Sequence, residues 1–408
     1  MQIGYIGLGK LGLPCAEKIA EKGHVVKGYD LEPVPSDLVK FEHSIKDCVK
    51  GCDIVFVAVP TPHDPDYDGK HPTSELTPKD FSYDIVKQVL QDADIYMNEN
   101  QLLVLISTVL PGTTRQQFIP LIKNTRFVYN PYLIAMGSVA WDMVNPEMIM
   151  IGTQDGSESG DAKQLREFYD TIMENDPRYV VGTYDECECI KVFYNTFISA
   201  KISLVNMIQD VAQKQGNINV DVVTDALAHS SMRIMSPQYM TAGMGDGGSC
   251  HPRDNIALRY MAKELDLGYD LFDSIMRARE IQAENIAKEL HRLAEENDMP
   301  VYIHGKSYKP KVPYTDGSYS LLIGYYLQQM GITPTYIDPY TGDVYQPKEP
   351  GVFLMAHSAS ITYDYTKDKS QDEIYCVIPP ESIVVDPWRK FTSSVSKVIH
   401  YGNTRNVS

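Results

Sequence analysis

The sequence lacks three features, and each absence excludes a class of protein. No uninterrupted apolar run approaches the roughly 18 residues that a membrane-spanning helix needs. Basic residues are in deficit, with 37 Lys and Arg against 54 Asp and Glu, and the net charge of −17 argues against a surface for nucleic acid or an anionic membrane. There is also no low-complexity tract and no short internal repeat.

The seven cysteines are scattered, which does not favour a disulfide framework. The two close pairs, Cys48 with Cys52 and Cys187 with Cys189, lack the spacing of zinc ligands, so no metal is expected. At 408 residues the chain is long enough for two or three domains. The composition predicts a cytoplasmic protein.

The first 30 residues follow the order strand, glycine turn, helix, strand, acid. In such a unit Gly7 makes the turn, Gly9 admits a pyrophosphate at the helix N-terminus, and Gly12 packs the helix on the strand. Asp30 follows the second strand, where a carboxylate accepts hydrogen bonds from a ribose and repels a 2′-phosphate. The order therefore predicts a site for NAD rather than NADP.

Two further apolar runs, 54–59 and 102–106, are typical of strands buried on both faces of a parallel sheet. Each ends in a loop rich in proline and hydroxyl groups, and open α/β sheets hold ligands at that edge. The residues predicted to contact the cofactor are Gly7, Gly9, Lys10, Leu11, Gly12, Asp30, Val59, Thr61, Pro62, Ser107 and Thr108.

From Cys187 the apolar residues step by three and four, which predicts a long helix and, with its apolar face, a dimerising core. A second α/β unit begins at Val301. The predicted fold is therefore α/β, with two Rossmann-like parallel-sheet domains joined by a helical central domain. The predicted bounds are 1–186, 187–298 and 299–408.

Residues 243–254 contain four glycines, one cysteine and an acid four residues after it. The glycines predict a backbone that wraps closely around a ligand. Cys250 becomes a nucleophile only if its thiolate is favoured, and Arg253 and the N–H groups of the loop are suited to do so.

Taken in order, these motifs resemble the nucleotide-sugar 6-dehydrogenases, typified by UDP-glucose and GDP-mannose dehydrogenases. The resemblance runs through the glycine fingerprint, Val59 to Pro62, Ser107 to Thr113, Asn130-Pro131, Lys191 with Asn195, Arg233, Gly247-Gly248-Ser249-Cys250 with Asp254, and Tyr308-Lys309-Pro310. It implies an NAD-binding domain, a dimerising helical centre, and a C-terminal domain that binds the nucleotide diphosphate of the substrate.

The resemblance also implies a reaction, the oxidation of a UDP-glucose-type nucleotide sugar at C6 to a uronic acid through a Cys250 thiohemiacetal and thioester. Arg233 is expected to reach the sugar across a homodimer. The implied catalytic residues are Cys250, Lys191, Asn195, Asp254 and Thr108. The implied substrate-binding residues are Tyr132, Leu133, Lys191, Asn195, Arg233, Gly247, Gly248, Tyr308 and Lys309.

The sequence departs from the family pattern in three respects. Tyr132 and Met136 stand where the family has glutamates, residues 314–318 lack an arginine, and Arg253 replaces a lysine. One alternative is therefore a protein that binds NAD and a nucleotide sugar but completes one oxidation or none. A 3-hydroxyacid dehydrogenase shares the first domain and the Lys-x-x-x-Asn helix, although it needs neither Cys250 nor a second nucleotide domain.

Overall fold

The computed structural model describes residues 1–67, 70, 72–74, 76–248, 250–358, 361–364 and 374–404. The chain forms two compact units, Met1–Lys201 and Ile202–Ser408. Both contain a parallel sheet, and helices occupy the middle of the chain, so the predicted fold class is confirmed. The predicted domain bounds at 187 and 299 stay predictions.

The first unit is built on an eight-stranded sheet in the order β3-β2-β1-β4-β5-β6-β7-β8. All neighbouring strands are parallel except β6 and β7. The strands are β1 (Gln2–Ile6), β2 (Val25–Tyr29), β3 (Val39–Phe41), β4 (Ile54–Val57), β5 (Leu102–Leu105), β6 (Arg126–Tyr129), β7 (Met148–Thr153) and β8 (Arg178–Thr183). The helices are α1 (Gly12–Glu21), α2 (Ile45–Val49), α3 (Asp84–Tyr96), α4 (Val139–Val144) and α5 (Asp161–Tyr169).

Burial explains why the central strands are readable from the sequence. Every residue of β4 and β5 is buried, because helices cover both faces of this part of the sheet. Short helical turns, Pro65–Tyr67, Thr114–Phe118 and Ile119–Leu121, complete the unit. The carboxyl ends of β1, β4 and β5 lie side by side, which brings the three predicted cofactor loops to one edge.

Four helices follow, α6 (Tyr184–Gln215), α7 (Val220–Ala228), α8 (Cys250–Glu264) and α9 (Leu271–Asn297). The long apolar helix predicted after residue 187 is present as α6. The glycine-rich segment ends at Cys250, which is the first residue of α8, a helix that the sequence pattern does not predict. None of the helices in the described part of the chain is long and apolar enough to cross a bilayer.

The second unit carries a five-stranded parallel sheet in the order β10-β9-β11-β14-β15, and a separate pair, β12 with β13. The elements are β9 (Val301–His304), α10 (Tyr319–Gln329), β10 (Thr335–Ile337), β11 (Val352–Met355), β12 (Ile361–Asp364), β13 (Ile374–Ile378), β14 (Ile383–Asp386) and β15 (Lys397–His400), with a helical turn at Pro339–Thr341. One face of α9 and α10 is buried against this sheet.

Candidate active site

The glycine turn after β1 has the shape that a pyrophosphate site requires. Gly7 has a φ of 96°, and a Cβ there would lie 2.7 Å from the carbonyl oxygen of Ala58. A Cβ on Gly12 would overlap the carbonyl oxygen of Gly7, whereas one on Gly9 would meet no atom within 4 Å. No side chain caps the N-terminal end of α1, and a helix N-terminus of this kind is suited to hold a phosphate group.

Asp30 lies beside this turn at the end of β2. Its Oδ2 accepts a hydrogen bond from the backbone N–H of Leu8 at 2.7 Å, and its Oδ1 accepts one from that of Leu31 at 2.7 Å. The residue is half-buried. Because each carboxylate oxygen has a second lone pair, Asp30 can also accept hydrogen bonds from ribose hydroxyls. Together the turn and the acid fit a dinucleotide.

Hydrogen bonds join the loops that follow β4 and β5. Ser107 Oγ donates to the carbonyl oxygen of Val59 at 2.5 Å, and Thr61 Oγ1 donates to that of Thr108 at 2.8 Å. The Thr108 hydroxyl is half-buried and has no hydrogen-bond partner among the described residues. These bonds fix the backbone of both loops and leave that hydroxyl available.

Tyr132, which stands where the family has a glutamate, points its hydroxyl into the unit. Its oxygen lies 3.0 Å from that of the Tyr169 hydroxyl, within hydrogen-bond distance, and the Tyr169 hydroxyl also donates to Asn130 Oδ1. Burial raises the pKa of Tyr132 well above its ordinary value. A buried, protonated phenol is a poor base at neutral pH, so the structure argues against Tyr132 as the group that activates water.

Lys191 lies one turn of α6 before Asn195. Its Nζ donates to the backbone carbonyl oxygen of Tyr132 at 2.7 Å, and burial lowers its pKa. Asn195 is exposed. A half-buried ammonium group beside an exposed amide can stabilise negative charge that develops on a bound ligand.

Cys250 differs from the other cysteines. Six cysteines have described side chains, and Cys250 is the exposed one. Burial raises the pKa of Cys15, Cys48 and Cys187 to about 12. Burial also raises the pKa of Cys52, to about 11, and the pKa of Cys189. Among the six cysteines whose side chains are described, Cys250 is therefore the most accessible to a substrate.

The acid on the same helix is paired. Asp254 Oδ1 accepts a hydrogen bond from Arg253 Nε at 2.9 Å and forms an ion pair with its Nη2 at 2.9 Å, and both side chains are exposed. Arg253 follows Cys250 by three residues on the same helix. Arg233, from the segment after α7, is also exposed.

The glycine loop before Cys250 packs mainly on aromatic rings. A Cβ on Gly243 would overlap the ring of Trp388, and one on Gly245 would overlap the ring of Tyr319. A Cβ on Gly247 would lie 2.9 Å from the backbone carbonyl oxygen of Tyr308, and one on Gly248 would lie 3.3 Å from its ring. The glycines therefore allow the loop to pack closely against other residues of the same chain, whereas the sequence predicts close packing around a ligand. Ser249 lies outside the described residues.

A pocket opens between this loop and the second sheet. Its lining includes Met244, Tyr308, Lys309, Tyr319, His357 and Trp388. Aromatic faces and a lysine suit a nucleotide base and a phosphate. The predicted substrate residues Tyr308 and Lys309 are thus brought together with the glycine loop.

Several polar residues that organise these sites have no role assigned to them from the sequence. Glu188 is fully buried and holds the loop after β5. Asp338 ends β10 and binds the loop after β9. Arg279 of α9 forms an ion pair with Asp246 of the glycine loop and donates to the carbonyl oxygen of Gly317 at 3.3 Å. Only Asp338 carried a local signal, an acid at the end of a strand.

The first unit is a dinucleotide-binding α/β fold, and the whole chain adds a helical region and a second parallel sheet. Residues 32–173 match the NAD-binding domain of the UDP-glucose/GDP-mannose dehydrogenase family, and residues 185–280 match its central domain. Together the two matches cover more than half of the chain. The protein belongs to this family, and NAD is its cofactor.

Individual relatives agree with this assignment. GDP-mannose 6-dehydrogenase of Pseudomonas putida is 27% identical over 319 residues, which are 70% of this chain and 69% of that protein. UDP-glucose 6-dehydrogenase YwqF of Bacillus subtilis is 27% identical over 337 residues, which are 76% and 73%. The crystal structure of a ternary complex of GDP-mannose dehydrogenase from Pseudomonas aeruginosa matches with a TM-score of 0.77 at 21% identity, over 98% of this chain and 99% of that one, and shows the same fold.

Proposed function

We propose that the protein oxidises a UDP-glucose-type nucleotide sugar twice at C6, from the alcohol to the carboxylate, with Cys250 as the covalent nucleophile. The observation that carries the proposal is the exposure of Cys250 at the start of α8, in contrast to the buried or half-buried state of the other described cysteines. Covalent addition to a carbonyl carbon requires a thiol that the substrate can reach, and Cys250 meets that requirement.

The chemistry explains the need for a thiol. NAD, when bound, supplies a hydride acceptor. Loss of a hydride and a proton converts the C6 alcohol to an aldehyde, and the Cys250 thiolate then adds to the aldehyde carbon to form a hemithioacetal. Loss of a second hydride and proton gives a thioester, and attack by water breaks the C–S bond and returns the thiolate. The reaction consumes two NAD and one water for each sugar.

Lys191 and Asn195 are proposed to stabilise the oxygen that becomes negative when sulfur or water adds to the carbonyl carbon. The hydrogen bond from Lys191 Nζ to the Tyr132 carbonyl aims the ammonium group, and its burial strengthens the interaction with a nearby charge. Asn195 is exposed, so its amide is free to bind the same oxygen directly or through water.

The hydrolytic step has two proposed contributors. Asp254 carries a carboxylate on α8, one turn after Cys250, and its pairing with Arg253 fixes its orientation. The Thr108 hydroxyl is proposed to bind the attacking water. Tyr132 is not assigned a proton-transfer role, because its hydroxyl is bound to Tyr169.

The direct test is a screen of UDP- and GDP-sugars with NAD that counts the NADH formed for each sugar consumed. Cys250→Ala is expected to abolish turnover, and Cys250→Ser to bind both ligands but to stop at or before a stable ester, because an alkoxide leaves less readily than a thiolate. Cys189→Ala is the matched control, since Cys189 is a half-buried thiol of α6. Full activity of Cys250→Ala would contradict the covalent mechanism.

The stoichiometry separates this proposal from its alternative. Two NADH for each sugar support complete oxidation. One NADH with release of an aldehyde would instead identify a one-step enzyme, and the replacement of both family glutamates by Tyr132 and Met136 favours that second candidate. A mass increase on Cys250 that accumulates during turnover would locate the slow step at thioester hydrolysis.

A homodimer is part of the proposal. The side chains of Phe193 and Phe197 on α6 are 63% and 61% exposed, and α6 therefore presents an apolar stripe that a second subunit can cover. Sedimentation is expected to show a dimer at micromolar concentration. A monomer would remove the case for Arg233 acting across subunits.

A further inference from the structure

Glu188 is an acid in an unusual position. It lies on the second turn of α6, and its side chain is completely buried. Its Oε2 accepts a hydrogen bond from the backbone N–H of Gly112 at 2.6 Å, and its Oε1 accepts one from that of Thr114 at 2.7 Å. Both oxygens of one carboxylate are thus bound to the segment that closes the loop after β5.

That loop carries Ser107 and Thr108, two of the residues assigned to the cofactor. Its first part is tied to the loop after β4 through Ser107 and Thr61. In its middle, the N–H of Leu110 donates to the hydroxyl of Tyr83 at 3.2 Å. Glu188 supplies the anchor at the end of the loop, where Gly112 has a φ of 91°. Without that anchor, two buried N–H groups would lose their partners and the loop would have to refold to satisfy them.

The same unit offers a second buried carboxylate for comparison. Asp94 of α3 is 3% exposed and accepts hydrogen bonds from the backbone N–H groups of Lys123, Asn124 and Thr125, at 2.8 to 3.0 Å. These residues precede β6, so Asp94 acts at the amino edge of the sheet, opposite to the cofactor loops. Glu188 acts at the carboxyl edge, where ligands of open α/β sheets bind.

We propose that Glu188 is a positioning residue for NAD binding, which holds the loop from Ser107 to Thr114 in the conformation that receives the cofactor. The proposal rests on the assignment of Ser107 and Thr108 to the cofactor site. It assigns Glu188 no contact with NAD or with the sugar.

The test compares Glu188→Gln with Asp94→Asn by calorimetric titration of NAD. Each substitution keeps the shape of the side chain but replaces an accepting oxygen by an NH₂ group that faces a backbone N–H. Glu188→Gln is expected to raise the Kd for NAD by about tenfold, the effect of losing one strong hydrogen bond, whereas Asp94→Asn should leave it within about twofold. Thermal unfolding of both variants confirms that they are folded during the titration.

Two results would overturn the proposal. NAD binding by Glu188→Gln that equals wild type would show that the loop does not depend on Glu188. An equal loss in both variants would show that Glu188 has a structural role only. Because the titration requires no turnover, its outcome is independent of whether wild type oxidises a nucleotide sugar.

Hydrogen exchange in the wild type tests the same idea if Glu188→Gln does not fold. The amides of Gly112 and Thr114 are expected to be protected without NAD, to a degree similar to those of Lys123 and Thr125. Protection of Gly112 and Thr114 that appears only after NAD is added would mean that the cofactor, and not Glu188, shapes the loop.

Discussion

In both large sheets, the first strand is followed by a glycine turn, but the surroundings of the two turns differ. After β1, the N–H of Gly7 donates to the carbonyl oxygen of Tyr29 at 2.9 Å, and after β9 that of Gly305 donates to Ile337 at 2.9 Å. Both glycines have positive φ, 96° and 102°. In each sheet the neighbouring strand then ends in an aspartate that binds the glycine turn.

The environments of the two aspartates differ. Asp338 is 2% exposed and accepts four hydrogen bonds, from Lys306 N, Tyr340 N, and both N and Oγ of Ser307. Asp30 is half-buried and binds two backbone N–H groups. In addition, α1 starts at Gly12, directly after its turn, whereas α10 starts at Tyr319. Asp30 is therefore the more accessible of the two acids, and its turn leads directly into a helix, as a dinucleotide site requires.

The largest effect is expected from Asp338→Ala. Loss of a buried carboxylate that accepts four hydrogen bonds should lower the free energy of unfolding by about 3 kcal/mol or more. Fluorescence of Trp388 during urea unfolding, in a Trp141→Phe background, reports on the second unit, because the chain has two tryptophans. Asp343→Ala is the control, since its ion pair with Lys306 is partly exposed and worth less than about 1 kcal/mol. Equal losses in the two variants would remove the distinction between Asp338 and a surface acid.

The two glycines should separate stability from cofactor binding. Alanine at either position would be strained by its positive φ, at a cost of about 2 kcal/mol. The new methyl group would meet the Ala58 carbonyl at position 7 and the His357 ring at position 305. We expect Gly7→Ala to weaken NAD binding and Gly305→Ala to leave it unchanged, as measured by calorimetric titration. A similar loss of NAD affinity in both variants would contradict the assignment of NAD to the first sheet.

Cofactor preference gives a smaller and more specific effect. Asp30→Ser removes the like charge that opposes a 2′-phosphate, and the ratio of NAD to NADP affinity is expected to fall by about thirtyfold, or about 2 kcal/mol. The control is Asp53→Ser, because Asp53 accepts a backbone hydrogen bond from Gln2 at the other end of β1. An unchanged ratio in Asp30→Ser would show that another group selects the cofactor.

The parts predicted correctly from the sequence are those with local causes. Strands β4 and β5 are continuous apolar runs because both faces of the sheet are covered, and the turn at Gly7 is visible because its backbone requires glycine. The sequence pattern does not predict α8, for the opposite reason. Four glycines precede Cys250, and the polar residues after it have no helical apolar period, so the pattern indicates a loop.

The role of Glu188 depends on residues 74 and 76 positions away, so no local pattern could reveal it. In the sequence it stands in Cys187-Glu188-Cys189, where an acid on a helix is normally expected to face solvent. The orientation of Tyr132 has a similar origin. Its replacement of a glutamate is visible, but its bond to Tyr169 arises only when α5 packs on the sheet.

The smallest expected effect is on the pH dependence of stability, and it again distinguishes Asp338 from an ordinary surface acid. Burial alone would raise the pKa of Asp338, but the hydrogen bonds from Ser307 and Tyr340 outweigh it and lower the pKa below its usual value. A carboxyl group whose pKa is lower in the folded state stabilises the protein above the ordinary aspartate pKa of about 4, and this stability is lost as pH falls through the folded value. In wild type, the urea concentration at the unfolding midpoint of the second unit should therefore decrease as the pH drops below about 4. In Asp338→Asn it should decrease less steeply. Ser307→Ala removes one of the bonds that lower the pKa, the one from the Ser307 hydroxyl at 2.7 Å, so it should give an intermediate slope. A slope in Asp338→Asn equal to wild type would assign the acid sensitivity to other carboxylates.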